Sequence, residues 1–324
     1  MKKIILTFLV TALCLGTISG YSSNVRAAEN EEDQQETGVS FPLTVTDDLE
    51  REVTITEMPK RVAALTGSFA DTWMLAGGEV AAAAHDAWED FNLDLDENVL
   101  DIGSTMKVSL ETLLSADPDL VLASSKTKSH LDLQATLESA KIPVLYFNVD
   151  GFDDYLRMLD ICTQITGRPE MYEENGLAVE EEVEQIKEKA LAAVEEQGAP
   201  EVLVLRIAAA GIHVKGSTGT VLGEMLKDLG CKNIADGSDL LEDLSLEIII
   251  ESDPDHIFIV QQGNDDEGAK KTLEESLTQN PAWSDLTAVK EGRVHWMDRH
   301  LYHFKPDKLW GTAYEQLEEI LFEE

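Results

Sequence analysis

The chain is short of cysteine, of positive charge, of aromatic residues and of long apolar runs, and each shortage excludes something. It has 3 cysteines in 324 residues. Cys14 lies in the N-terminal apolar run, and Cys162 and Cys231 stand in neither a C-x-x-C nor a metal-ligand spacing. That argues against a cysteine metal site and favours buried free thiols, since a disulfide between Cys162 and Cys231 would have to cross the two lobes. Lysine and arginine number 25 against 63 acids, a formal charge of −38. A surface so acidic repels nucleic acid and anionic lipid, and keeps the chain soluble. The 7 histidines do not cluster, which argues against a dedicated site for free zinc or manganese. No G-x-S-x-G elbow, H-E-x-x-H pair or phosphate-cradling glycine loop occurs, so a secreted hydrolase is a remote alternative and an enzyme is not expected.

Beyond the N-terminus no stretch is apolar enough to cross a bilayer. The single candidate, Ile4 to Ile18 behind Lys2 and Lys3, spans about 15 residues where a membrane helix needs roughly 20. With Val25-Arg26-Ala27 after it, residues 1–27 read as an export signal cleaved near Ala27. Ile18-Ser19-Gly20 resembles the start of a lipobox, but the next residue is Tyr21, which has no thiol to acylate. Residues 28–40 are acidic and polar and read as a tether.

What remains is rich in Leu, Ile, Val and Ala, at 43% hydrophobic residues overall, and long enough for two lobes. Short β-rich runs alternate with helical ones over 41–167, the pattern of parallel βαβ units. Gly167-Arg168-Pro169 interrupts it. A stretch rich in Glu, Ala, Lys and Leu follows from Glu170 to Gln197, stopped by Gly198 and Pro200. As one helix it would reach roughly 42 Å, suited to joining two lobes. The alternation resumes over 199–324 and ends in a helix from about Pro306 to Phe322. The expected division is therefore an N-terminal lobe (41–167), a connecting helix (168–198) and a C-terminal lobe (199–324).

Two segments repeat one another. Ser109-Leu110-Glu111 precedes Pro118-Asp119 and an apolar run, and Ser245-Leu246-Glu247 precedes Pro254-Asp255 and another, at a constant offset of 136 residues. One α/β unit was built twice. Ser109 and Ser245 are placed to cap helices, and Glu111 and Glu247 fall in first turns, where the helix dipole favours a carboxylate. The two acids read either as simple helix-start residues or as one docking carboxylate per lobe.

Ligands of open α/β sheets bind beyond the carboxyl ends of the strands. That rule selects Ser68, His85, Trp88, Met106 and Lys126 in the first lobe, and Arg206, Gln261, Arg299, His300 and Tyr302, with His303, in the second. Arg206 ends an apolar strand and suits an anionic ligand. Trp88 would supply an apolar wall, whereas Trp296 reads as a core residue of its strand. His85, His300 and His303 lack a ligand spacing, so no direct metal ligand is assigned.

FPLTVTD with REVTI, PKRVAALTGSFADTWMLAGG, DIGSTMKVSLETLLSADPDLVLAS, IPVLYFN, GEMLKDLGCKNIAD and PAWSDLTAVKEGRVHWMD together resemble the class III periplasmic binding proteins of ABC importers, over about residues 41–322. The resemblance implies two lobes with mostly parallel sheets joined by one rigid helix, small closure, and a bulky ligand between the lobes. The ligand would be a ferric siderophore or haem, or alternatively cobalamin, carried as cargo with no cofactor. It implies a monomer outside the membrane whose Glu111 and Glu247 dock to a permease dimer. The sequence departs from the family pattern at Glu50, where the D-x-x-G-R turn has glycine, and at Tyr21 in place of the lipobox cysteine.

Overall fold

The computed structural model describes residues 39–241 and 245–322. The expected export signal and nearly all of the tether lie outside the described residues. The chain enters on an antiparallel pair, β1 (Leu43–Thr46) and β2 (Glu52–Ile55). The turn between them is organised by the buried Asp47 carboxylate, which accepts from the backbone N–H groups of Leu49 and Arg51 and from the Arg51 guanidinium. Glu50 takes the left-handed conformation there, φ 59°, so the turn keeps its shape although glycine is absent.

The first sheet follows: β3 (Val62–Ala64), β4 (Val80–Ala83) and β5 (Leu100–Asp101), then a small hairpin of β6 (Gly103–Ser104) and β7 (Lys107–Val108), then β8 (Leu120–Ser124) and β9 (Val144–Phe147). Its order is β5-β4-β3-β8-β9, all parallel. Strands covered on both faces must be apolar throughout, and every residue of β3 and β9 is buried. The second sheet holds β10 (Glu201–Ala208), β11 (Gly211–Lys215), β12 (Lys232–Asn233), β13 (His256–Gln261) and β14 (Val294–Met297). Its path is β11-β10-β13-β14, with β12 also on β10; only β11 is antiparallel. The run β12-β10-β13-β14 thus has the same neighbours as β4-β3-β8-β9.

The internal repeat is visible atom by atom. Ser109 and Ser245 each accept from the backbone three residues on, opening the helices Leu110–Ser115 and Leu246–Ser252. Asp117 and Asp253 both take positive φ, 49° and 41°. Asp119 then accepts from the backbone N–H of Arg61 just before β3, as Asp255 accepts from that of Glu201 at the start of β10.

Between the sheets runs the helix expected from Glu170 onward. It starts a residue early, at Pro169, passes through a π-helical stretch at Glu173–Leu177, and continues as Ala178–Gln197. The C-terminal helix begins later than expected: Asp307 has φ 51°, a 3-10 turn spans Asp307–Leu309, and the α-helix covers Trp310–Phe322. This closing helix packs along the connecting helix, where buried Glu318 receives Lys189 Nζ at 2.7 Å. Its Trp310 and Tyr314 rings lie against Phe152 in the Phe152–Thr166 helix of the first lobe, and Tyr314 Oη donates to Asp228 in the second. After β8 the chain forms two short helices, Lys128–Leu131 and Gln134–Ser139. Trp296, expected in the core, is 44% exposed on edge strand β14. Cys162 and Cys231 are free thiols.

A non-glycine residue in the left-handed region costs about 1–2 kcal/mol, part of which glycine returns through its looser unfolded state. Glu50→Gly is expected to raise stability by about 0.5–1 kcal/mol, read as a higher urea midpoint at unchanged slope.

Candidate functional site

The loops at the carboxyl ends of the strands meet in a cleft of about 590 Å³. From the first lobe come the start of the Gly67–Leu75 helix after β3, His85 and Asp86 after β4, the β6–β7 turn, Lys126 after β8, and Asn148 to Asp150 after β9. From the second come Gln262 to Asn264 after β13, and Arg299 with His303 to Lys305 after β14.

Of the residues selected from sequence, Ser68, His85, Met106, Lys126, Arg299 and His303 line the cleft. Met106, 73% exposed, stands at the rim. His85 is exposed, and Asp101, hydrogen-bonded to its Nδ1 at 2.7 Å, raises its pKa. Lys126 is ion-paired to Asp150. Arg299 ties the lobes together: its guanidinium donates to Asn264 Oδ1 at 2.6 Å, pairs with Asp90 at 3.4 Å and lies over the Phe304 ring. Asn264 in turn donates to Glu89 across the cleft at 2.8 Å.

The other selected residues lie off the cleft lining. Trp88 belongs to the short helix Asp86–Glu89 and packs, half-buried, on the first lobe's core, so Phe69, Phe91 and Phe304 provide the apolar walls instead. Gln261 is buried and spends its amide on Gly263 O and Asp266 Oδ1, which shapes the loop that presents Gln262. His300 packs edge-on against Phe91. Tyr302 is buried and donates to Ala313 O. Arg206 stands behind the wall, half-buried, with no hydrogen bond or ion pair to any described residue, and burial lowers its pKa. It acts on His303, whose imidazole is pushed down to about 3, by burial first and then by Arg206, Lys305, Arg299 and Lys215.

Sequence reasoning missed Lys305, Asp150 and His130. Lys305 lies between the Arg299–Tyr302 helix and the expected start of the last helix at Pro306, where no sequence pattern marks a cleft residue. His130 is fully buried beneath the cleft. Its Nδ1 accepts from the Ser124 N–H at 3.0 Å and its Nε2–H donates to Thr105 O at 2.9 Å, which fixes a neutral ring between two cleft loops. No sequence pattern announces a histidine that works through backbone groups alone.

The periplasmic binding protein family model matches residues 62–301. The chain belongs to that family. Membership makes it a binding protein and not an enzyme, which agrees with the absence of catalytic motifs from the sequence. It is 27% identical over 302 residues to the iron-uptake system-binding protein of Bacillus subtilis (strain 168), covering 91% of this chain and 90% of the relative. It is 26% identical over 307 residues to the Fe(3+)-citrate-binding protein YfmC of the same organism, covering 92% and 90%. In fold it resembles Staphylococcus aureus IsdE complexed with heme, with a TM-score of 0.67 at 19% identity over 82% of this chain and 99% of that one. Staphylococcus aureus SirA complexed with staphyloferrin B gives 0.65 at 21% identity over 87% and 97%. The binding protein therefore has the two-lobed α/β fold that its sequence implied.

Burial pushes His130 down to about 4 against an unfolded value near 6.5. Between those values the unfolded chain binds the extra proton, so stability is full above pH 6.5 and falls as pH drops toward 4. The loss attributable to this one ring is about 3 kcal/mol. Urea unfolding of His130→Gln at pH 4.5 and 7.5 is expected to show a shallower pH slope than the parent protein.

Proposed function

We propose that this protein captures a bulky iron complex in the cleft between its lobes, outside the membrane, and hands it to the permease dimer of an ABC importer. The observation that carries this reading is the cleft itself. Two copies of one sheet unit turn the carboxyl ends of their strands toward a shared space of about 590 Å³, within the 300–1,000 Å³ usual for small-molecule sites. The names of the Bacillus subtilis relatives, iron-uptake and Fe(3+)-citrate binding, support iron as the cargo. The haem and staphyloferrin B named with the fold neighbours support a ligand of that kind. A ferric siderophore is preferred to haem because the cleft mixes three phenylalanines with many polar and charged groups. The same charge weighs against cobalamin, the alternative within the family. The iron complex is cargo, so the protein requires no cofactor of its own.

The substrate-binding lipoproteins among the Bacillus subtilis relatives support export, as does the signal read at residues 1–27, and a monomer is the proposed state. Glu111 and Glu247 are both exposed in the first turns of equivalent helices, one per lobe. A pair of that kind suits a permease built from two equal subunits. The proposed domain division is 41–167, 168–198 and 199–324, and one sheet on either side of the connecting helix supports it.

Calorimetric titration of the protein with ferric citrate, a catecholate ferric siderophore, haem and cobalamin tests the cargo. Saturable binding of an iron complex is expected, and binding of cobalamin alone overturns the reading. Glu111→Ala combined with Glu247→Ala is expected to leave ligand affinity unchanged and to abolish iron uptake in cells; intact uptake removes the docking role.

A further inference from the structure

Two carboxyl groups meet across the lobe boundary, one helical turn beyond Ser68. Asp71 lies on the Gly67–Leu75 helix of the first lobe, and Asp307 opens the closing segment of the chain. Their side chains are within hydrogen-bonding reach of each other, and Asp307 is 1% exposed. An aspartate near the start of a helix ordinarily accepts from backbone N–H groups as an anion. Among the described residues the Asp307 carboxyl accepts only from the Thr72 hydroxyl, at 3.1 Å on Oδ1, and its buried Oδ2 has no donor. Two ionised carboxylates so close and so dry repel strongly, whereas one proton between them makes a hydrogen bond. The surroundings agree. Burial and Asp71 raise the pKa of Asp307 well above the usual carboxylate range, against the pull of Thr72 and Lys305. Burial raises that of Asp71 too, opposed by the bond to Asp307, by Lys308 and by His300. Tyr155 of the Phe152–Thr166 helix faces the pair as a neutral phenol. Asp307 is also left-handed, φ 51°, a strained form for a non-glycine residue that persists only where its surroundings hold it.

We propose that Asp307 is a positioning residue of the cleft: as a neutral acid it donates to Asp71, and this shared proton seats His303, Phe304 and Lys305 of the second wall against the helix that presents Ser68 and Phe69 from the first. Lifting that loop exposes the pair to water and releases the proton, so the seat loosens as pH rises. The inference concerns the shape of the empty cleft and does not depend on which ligand fills it.

The test uses the ligand-free protein, wild type beside Asp307→Asn, between pH 5 and 8. An amide at 307 supplies the donor and the acceptor of a neutral acid with no proton to lose. The native pair holds one proton that unfolded carboxylates, with pKa about 3.9, have released, so wild type loses stability with rising pH and the variant is spared that loss. The folding equilibrium of Asp307→Asn relative to wild type, from urea unfolding, is expected to improve by up to about tenfold per pH unit, the linkage of one proton. His130 titrates alike in both. Amide exchange over residues 299–309, read by mass spectrometry, tests the seat. The ratio of wild-type to variant exchange in that segment is expected to climb with pH in the same way, while the Ala178–Gln197 helix keeps a constant ratio. Parallel unfolding curves overturn the shared proton, and a pH-independent ratio over 299–309 overturns the positioning role. Failure of Asp307→Asn to fold also overturns the inference, because the amide reproduces the bonds of a neutral acid and not those of a carboxylate.

Discussion

Everything in this protein depends on two helices that run side by side between its sheets. The connecting helix carries the chain from one lobe to the other, and the closing helix returns along it, bringing Trp310 and Tyr314 against the aromatic residues of the first lobe. Glu318, 2% exposed, takes Lys189 at 2.7 Å between them. A carboxylate that far from water is tolerated only when it is paired, so the contact resists sliding of one helix on the other. A hinge loop would let the lobes swing. A braced pair of helices holds them facing, and the cleft exists before any ligand arrives.

That bracing explains why the site can be built from small polar devices. Asp86 links the Gly67 N–H to Thr105, His130 links Ser124 to Thr105, and the Glu89–Asn264 and Asp90–Arg299 contacts span the lobes. The two contacts that span the lobes are weak alone, since pairs near the surface contribute at most about 1 kcal/mol. They select among positions that the helices have already confined. Within that frame a ligand can be received without requiring the lobes to reorganise.

Much of this was legible in the sequence. The Ser-x-Glu and Pro-Asp repeat exposed the duplication because caps, left-handed residues and strand starts are set by local chemistry, and each copy needs the same residues. The connecting helix was legible from its composition and its glycine stop. The cleft loops followed from the rule that ligands meet the carboxyl ends of parallel strands, which placed Ser68, His85, Met106, Lys126, Arg299 and His303 on the lining. What was not legible depended on tertiary direction. Trp88 and Tyr302 have the chemistry of ligand contacts but point into packed interiors. Strand β11 was missed because it gains its place by pairing antiparallel with β10 and not by its own short pattern. Lys305 could not be recognised, because its place on the lining depends on how the loop after β14 folds back toward the first lobe.

The central claim, a preformed cleft held by braced helices, is tested most directly by a distance measured across it. Spin labels at Lys107→Cys on the β6–β7 hairpin and Lys270→Cys on the Asp266–Leu273 helix, in a Cys231→Ser background, report the separation of the lobes by pulsed electron resonance. The account predicts one narrow distance distribution that nearly coincides with and without ferric citrate. A broad or two-peaked distribution in the free protein, collapsing to a much shorter distance on binding, would contradict it.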